Sequence, residues 1–551
     1  MSKVSSKVSS AESPEPTTVS TMTGGQAVVK ALIDQGIDTL FGLPGIQNDW
    51  LYNALYDARD KIKVIHSRHE QGVAYMALGS YLATGKPSVF NVVPGPGLLN
   101  ASAALATAYG LGAKVLCLTG QIPLNAIGRD IGLLHELPDQ LGILARLSKW
   151  SARINHPSEA ALRIAQAFAE MDSGRPLPTA LEVPLDVLEL KAAVNCQAVR
   201  VERYQPPLGE ELEAAVKALA KAKKPLIFVG SGALNVSREV KELAEMLQAP
   251  VVAYRTGLGI LDSRHYLSLH QPPAKRYWPE ADVVLAIGSN MRVPMQKWFK
   301  QHPPKIIRLD VDPLSHLRFN PPAIAITARA EEAMPLLLAR LSQENPKRAS
   351  RRDELLTLKA WWQQEVSVLG PQLSYLQVIR EALGEDGIFV DEMTQIGFAS
   401  RIAMPVYKPR SFITTGYQGT LGYGFPTALG VKLARPDVPV ISINGDGGFM
   451  FAVAELATAV QHQIPLISLV FNNGQYGNVQ QMQRGLYQGR VIATDLVNPD
   501  FVKLAESFGL LSLRAESPEA LAKALALAQK EQGPSLIEIP IGDVPSVDRF
   551  R

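Results

Sequence analysis

Asp446 sits in the run Gly445-Asp446-Gly447-Gly448, just after the apolar stretch Val438–Ile443, and Asn473 follows a second apolar stretch, Pro465–Phe471. An amphipathic helical segment through Glu455 and Ala459 lies between them. This reads as strand, glycine turn, helix, strand, turn. In a parallel sheet both turns fall at the carboxyl edge, where doubly wound folds bind ligands, so Asp446 and Asn473 are predicted to face one another. One carboxylate and one amide oxygen make a hard, oxygen-only site that suits Mg²⁺ completed by phosphate oxygens and water. Gly445, Gly447 and Gly448 let the backbone approach a diphosphate and aim amides at it. Singly, Gly-Asp-Gly and Asn-Asn-Gly are ordinary turns; their pairing is the signal. Far upstream, Arg68-His69-Glu70-Gln71-Gly72 places an acid where a strand (Val64-Ile65) gives way to a helix. Alone, Glu70 reads as a helix-start acid favoured by the macrodipole. A zinc motif of the H-E-x-x-H type fails, because position 73 is Val.

The elements that must position these residues form three successive α/β units, in keeping with a chain of 551 residues. Residues 1–20 read as a disordered tail rich in Ser, Thr and Pro. The first unit, 21–190, has expected strands at Ser88–Val93, Lys114–Thr119 and Thr179–Pro184, with helices at Gly72–Thr84 and Leu98–Tyr109. A linker, 191–207, precedes a Rossmann-like unit, 208–340, with strands at Leu226–Val229, Val251–Tyr254, Val283–Ile287 and Ile306–Val311. A charged, solvated helical connector, roughly 340–369, leads to the third unit, 370–545, with strands at Ile388–Val390, Val438–Ile443, Pro465–Phe471 and Ser535–Ile539. The fold class is three doubly wound parallel-sheet domains, the first and third being two versions of one architecture.

A formal net charge of +3, with the basic residues scattered, gives no face for nucleic acid. No stretch approaches the ~20 apolar residues of a membrane span. Two cysteines, Cys117 and Cys196, exclude a disulfide framework or a cysteine metal site, and a cytoplasmic location is expected.

Gly-Asp-Gly followed by Asn-Asn resembles the cofactor signature of thiamine diphosphate enzymes, and the resemblance covers roughly residues 22–545. It is strongest to the acetolactate synthase-like branch of the acetolactate synthase, pyruvate oxidase and 2-oxo acid decarboxylase family. Arg68-His-Glu70-Gln-Gly, Phe41-Gly-Leu-Pro44-Gly45, Pro94-Gly-Pro-Gly97 with Asn100, and Thr119-Gly-Gln121-Ile-Pro123 carry it in the first unit. Met393-Thr394-Gln395 and Thr414-Thr-Gly-Tyr-Gln-Gly419-Thr-Leu421-Gly carry it in the third. The resemblance implies that Asp446, Asn473 and the carbonyl of Gln475 hold Mg²⁺. It implies that Thr394 and Gln395, with Gly445, Gly447 and Gly448, contact the cofactor's diphosphate, and that Pro44, Asn100, Tyr476 and Gly477 also bind the cofactor. Glu70 would hydrogen-bond N1′ of the aminopyrimidine, best in a desolvated setting, the Gly419 carbonyl would receive the 4′-amino group, and Leu421 would bend the cofactor into its V shape. The implied reaction is decarboxylation of a 2-oxo acid such as pyruvate to an enamine, which is protonated or added to a carbonyl acceptor. Because the pyrimidine and diphosphate units that share one cofactor come from different chains in this family, a homodimer is the minimum and a homotetramer the commoner expectation.

Three positions depart from acetolactate synthases and bear on substrate choice. Leu185 stands where those enzymes usually carry Lys, Met482 where they carry Trp, and Leu134-His135-Glu136 where they carry Phe-Gln-Glu. Leu134, His135, Tyr476 and Met482 are therefore the expected substrate pocket, with His135 and Gln121 as catalytic candidates beside Glu70. His270, Trp278 and Trp298 read as structural. FAD is not expected, since the usual flavin stretches are replaced by Leu269–Pro273 and Ser289–Arg292, and Gly230-Ser-Gly232-Ala-Leu-Asn235 is only a partial dinucleotide fingerprint. The leading expectation is a Mg²⁺- and thiamine diphosphate-dependent lyase or carboligase. The alternatives are a simple 2-oxo acid decarboxylase, a benzaldehyde lyase-like enzyme, a 2-hydroxyacyl-CoA lyase and, from another class, a flavin- or nicotinamide-dependent oxidoreductase.

Overall fold

The computed structural model describes residues 19–202, 208–299 and 303–550. Three six-stranded, wholly parallel sheets follow one another along the chain. Numbered within its own unit, the first sheet runs 2-1-3-4-6-5 and the third runs 2-1-3-4-6-5 as well, so the two outer units share one topology. The middle sheet runs 3-2-1-4-5-6, the Rossmann order. The central strands are rich in Val, Ile and Leu, as parallel strands covered on both faces tend to be; Val283–Ile287 and Ile388–Val390 are buried at every position.

The stretch expected as linker contains a strand. Lys191–Asn195 pairs antiparallel with Val19–Thr23, so the first unit begins by closing on its own end, and residues 19 and 20 belong to that pair. Residues 1–18 of the expected tail and 203–207 of the expected linker lie outside the described residues. The charged connector is docked where solvation was expected. Arg348 donates to the carbonyls of Ala222 at 2.6 Å and Leu219 at 2.8 Å, capping the helix Glu211–Lys221, and Arg351 donates to the Tyr277 hydroxyl at 2.6 Å. No helix among the described residues is long and apolar enough to cross a membrane.

The outer units of one chain pack on each other through two helices, Glu70–Thr84 and Gly424–Ala434. Their close crossing depends on glycine. A methyl group on Gly79 would lie 2.1 Å from the Thr427 carbonyl oxygen, and one on Gly430 would lie 2.0 Å from that of Met76. A single apolar core joins Val73, Ala77 and Leu98 of the first unit to Tyr423, Phe425 and Leu429 of the third.

Candidate active site

Asp446 opens the helix Asp446–Met450 directly after the strand Val440–Gly445 and is 3% exposed. Its Oδ2 accepts the backbone N–H of Gly474 at 2.9 Å and Nδ2 of Asn498 at 2.7 Å. Burial pushes the carboxyl above the usual carboxylate range, and among the described residues no Lys or Arg pairs with it. A desolvated carboxylate without a counter-charge is what a divalent cation would neutralise. Asn473, just past the strand Ile467–Asn472, and the turn residue Gln475 line the same cavity of about 250 Å³. Among the described residues there is no group of three His, Cys, Asp or Glu to hold a metal. The donors at Asp446 therefore suit a cation that brings further oxygens with it, as Mg²⁺ does with a diphosphate.

The same cavity gathers Thr394, Gln395, Gly419, Leu421, Gly445, Gly447, Gly448, Tyr476 and Gly477. Thr394 caps the helix Gln395–Ala403 by accepting the Gly397 N–H at 2.8 Å, so this helix and Asp446–Met450 both start here, with their positive ends at the cavity. Gly419 has φ +61°, a left-handed conformation, which turns the loop between Thr414 and Gly424 so that Gly419 and Leu421 both face the cavity.

Pro44, Glu70, Asn100, Gln121, Leu134 and His135, all of the first unit, and Met482 of the third are absent from the walls of this cavity. Glu70 begins the helix Glu70–Thr84, whose N-cap is His69, and its Oε2 accepts Nδ2 of Asn100 at 3.0 Å. The segment before it is anchored on the third unit. Buried Glu455 accepts the backbone N–H of His69 at 3.1 Å and of Arg68 at 3.2 Å, and His462 meets the His66 carbonyl at 2.9 Å. Glu70 itself is only half-buried in the single chain, short of the desolvated setting expected for it.

Pro44 is exposed beside the Gly45–Asn48 turn. The Pro94–Gly97 turn lies between Glu70 and His135: a methyl on Gly97 would sit 3.6 Å from Glu70 Oε1, and one on Gly95 2.6 Å from the His135 carbonyl oxygen. His135 is in the left-handed region, φ +67°, with Nδ1 enclosed and unpartnered among the described residues. The Leu134 carbonyl accepts Nε2 of Gln47 at 3.1 Å, leaving its side chain exposed. Gln121 is buried, with Nε2 on Glu182 at 3.1 Å and its own Oε1 accepting the Ile122 N–H at 2.8 Å. Met482 is exposed on the helix Gly477–Leu486. A larger cavity of about 390 Å³ lies at the carboxyl edge of the middle sheet, lined by Gly230–Gly232, Ser289–Arg292, Asp310 and Arg329.

Sequence reading missed Asn498, Glu455, Glu392 and the cavity-lining segment Ile541–Val544. The last follows the strand Ser535–Pro540 at the carboxyl edge, a position that flagged it in principle. Two adjacent acids after the strand Ile388–Val390 were a signal for Glu392. Nothing in the local pattern marks Asn498 or Glu455.

Residues 22–143, 212–337 and 393–539 match the N-terminal thiamine pyrophosphate-binding, central and C-terminal thiamine pyrophosphate-binding domains of thiamine pyrophosphate enzymes. The chain is 34% identical to a probable 2-ketoarginine decarboxylase of Pseudomonas aeruginosa, covering 94% of each protein. It is 32% identical to the acetolactate synthase large subunit of Haemophilus influenzae, over 91% of each. It is 30% identical to the isozyme 3 large subunit of acetolactate synthase from Escherichia coli, over 93% of this chain and 92% of that one. With both cofactor-binding domains and the central domain present in order, the chain belongs to the thiamine diphosphate-dependent enzymes that include acetolactate synthases and 2-oxo acid decarboxylases.

Proposed function

We propose that the chain is a Mg²⁺- and thiamine diphosphate-dependent enzyme that breaks the bond between the carboxylate and the carbonyl carbon of a 2-oxo acid such as pyruvate and, like an acetolactate synthase, joins the remaining fragment to a carbonyl acceptor. The convergence of Thr394, Gly419, Leu421, Asp446 and Asn473 on one cavity supports this most strongly. When bound, thiamine diphosphate supplies a carbon nucleophile and an electron sink for the departing carboxylate.

In this reading Asp446, Asn473 and the Gln475 carbonyl hold Mg²⁺, and the amides at Gly447 and Gly448 orient the diphosphate. Glu70 holds a proton on its carboxyl against the aminopyrimidine N1′, Leu421 sets the cofactor's bend, and the Gly419 carbonyl receives the 4′-amino group. His135, with an unpartnered ring nitrogen, orients or protonates the substrate carbonyl.

The site is completed by a second copy of the chain. One chain lines the diphosphate cavity wholly from residues 393–544, while Glu70 and Asn100 lie outside it. Large apolar side chains are exposed on both halves, Ile46, Leu99 and Leu134 on the first unit and Phe451, Val479, Met482 and Leu486 on the third. Apolar surface of this kind fits burial in a symmetric homodimer, or in a tetramer built from such dimers. Joining the halves also supplies Glu70 with the water-poor surroundings that it lacks in one chain.

A second reading, decarboxylation ending in protonation and aldehyde release, draws support from the 2-ketoarginine decarboxylase among the relatives and from Met482 in place of an aromatic residue. Product analysis after incubation with pyruvate and a panel of longer 2-oxo acids separates the two. Acetolactate supports the first, an aldehyde as sole product supports the second, and no carbon dioxide from any 2-oxo acid rules out both.

A further inference from the structure

Glu392 is 1% exposed and follows the strand Ile388–Val390. Its Oε1 accepts the backbone N–H of Gly422 at 2.7 Å, in the loop that carries Gly419 and Leu421. The same oxygen lies 2.6 Å from where a methyl on Gly448 would sit, in the turn that carries Asp446. One carboxyl thus touches both loops of the diphosphate half-site.

Its other oxygen, Oε2, has no partner among the described residues, and neither has Oδ1 of Asn444, which is also fully buried. Both atoms face Gly424, where a methyl would lie 2.7 Å from Asn444 Oδ1 and 3.0 Å from Glu392 Oε2. The Asn444 amide is held in this orientation, because Nδ2 donates to Ser442 Oγ at 3.2 Å and to the Leu469 carbonyl at 3.3 Å. Turned over, it would set its oxygen against that carbonyl. Two buried acceptors left unpaired beside the same glycine are costly unless one carries a proton, and of the two only a carboxyl can.

We infer that Glu392 is a positioning residue, a neutral carboxylic acid that donates Oε2–H to Asn444 Oδ1 while Oε1 accepts Gly422 N–H, clamping the Gly419–Leu421 loop to the Gly445–Gly448 turn. The clamp rests on the cofactor reading above and deepens it, since it fixes the loop proposed to receive the 4′-amino group relative to the turn proposed to hold the diphosphate.

Burial holds the Glu392 carboxyl up at about 8, although the Gly422 amide that donates to Oε1, and the neighbouring amides of Tyr423 and Gly424, pull the other way. Asp391 adds repulsion, tempered by its own buried ion pair with Arg401 at 2.7 Å. Tyr75, from the first unit's packed helix, and Tyr423 also face this region, and burial keeps both phenols neutral; Asp446 opens the turn on the other side of Gly448.

The test compares wild type, Glu392→Gln and Glu392→Ala, by calorimetric titration with thiamine diphosphate and Mg²⁺ and by infrared difference spectra of the free proteins at neutral pH. Glutamine can donate to Asn444 and accept from Gly422, so its cofactor affinity is expected within about threefold of wild type, whereas alanine loses about tenfold or more. Wild-type affinity is expected to fall above about pH 8, and that limb to vanish in Glu392→Gln. The wild-type infrared spectrum should carry a protonated-carboxyl band that Glu392→Gln lacks. Glutamine binding as weakly as alanine, alanine binding like wild type, or absence of that band overturns the inference. A wild type that shows the band and binds no cofactor overturns the cofactor reading and with it the positioning role, while leaving the neutral acid standing.

Discussion

Glu70 and Asp446 divide the work proposed for the site, and their variants should fail differently. Glu70→Gln removes a proton donor and leaves the diphosphate cavity intact, so turnover is expected to drop by roughly 10²–10⁴ with cofactor affinity little changed. Asp446→Ala removes the only carboxylate proposed as a metal ligand, so Mg²⁺-dependent cofactor binding itself should be lost in calorimetry. Equal loss of affinity in both variants would contradict the division. His270 makes a different prediction, about stability. Burial, with Lys359 nearby, lowers its pKa to about 4 from 6.5. The unfolded chain therefore binds a proton that the folded chain refuses between those values, so this contribution is complete above about pH 6.5 and is lost as pH falls toward about 4. It amounts to on the order of 3 kcal/mol at most. Thermal melts of His270→Gln against wild type should show the variant losing less stability over that range.

The crossing of Glu70–Thr84 with Gly424–Ala434 ties the helix that starts at Glu70 to the unit that carries the Asp446 cavity. Gly430→Val would drive its side chain into the Met76 carbonyl, which a methyl alone would approach to 2.0 Å. The expected cost is about 1–3 kcal/mol or more, read as a lower melting temperature together with weaker turnover. Unchanged melting would show that the crossing relaxes freely. This crossing was hidden in the sequence, because Gly79 and Gly430 sit in helices whose patterns look continuous and nothing local says which helix faces which. The strands were more legible. Thr179–Pro184, Val283–Ile287 and Ile388–Val390 were predicted at their observed bounds, since buried parallel strands read as short apolar runs. Edge strands such as Trp150–Arg153, Phe412–Ile413 and Leu511–Arg514 escaped, being only two to four residues long, the first and last of them also only partly covered. Lys191–Asn195 escaped because its partner, Val19–Thr23, lies at the far end of the unit and Lys191–Asn195 itself has only Val194 as a β-branched residue.

At the scale of the molecule, the repeated 2-1-3-4-6-5 topology of the outer units makes the chain two related halves around a Rossmann-order spacer. The motifs of both halves were readable, because glycine turns and strand-end acids leave local patterns. Their separation leaves no mark in the motifs themselves and was expected only through the resemblance, because it depends on how the halves pack within one chain. That packing uses one face of each half and leaves Glu70 outside the cavity of Asp446. The working site is proposed to form between two copies, with Glu70 from one and Asp446 from the other. The most direct measurement is the activity of mixed dimers, purified by two different tags after co-expression of Glu70→Gln and Asp446→Ala chains, each inactive alone. About half of wild-type activity is expected, since each mixed dimer holds one intact site and one doubly altered site. Mixed dimers as inactive as either parent would contradict it.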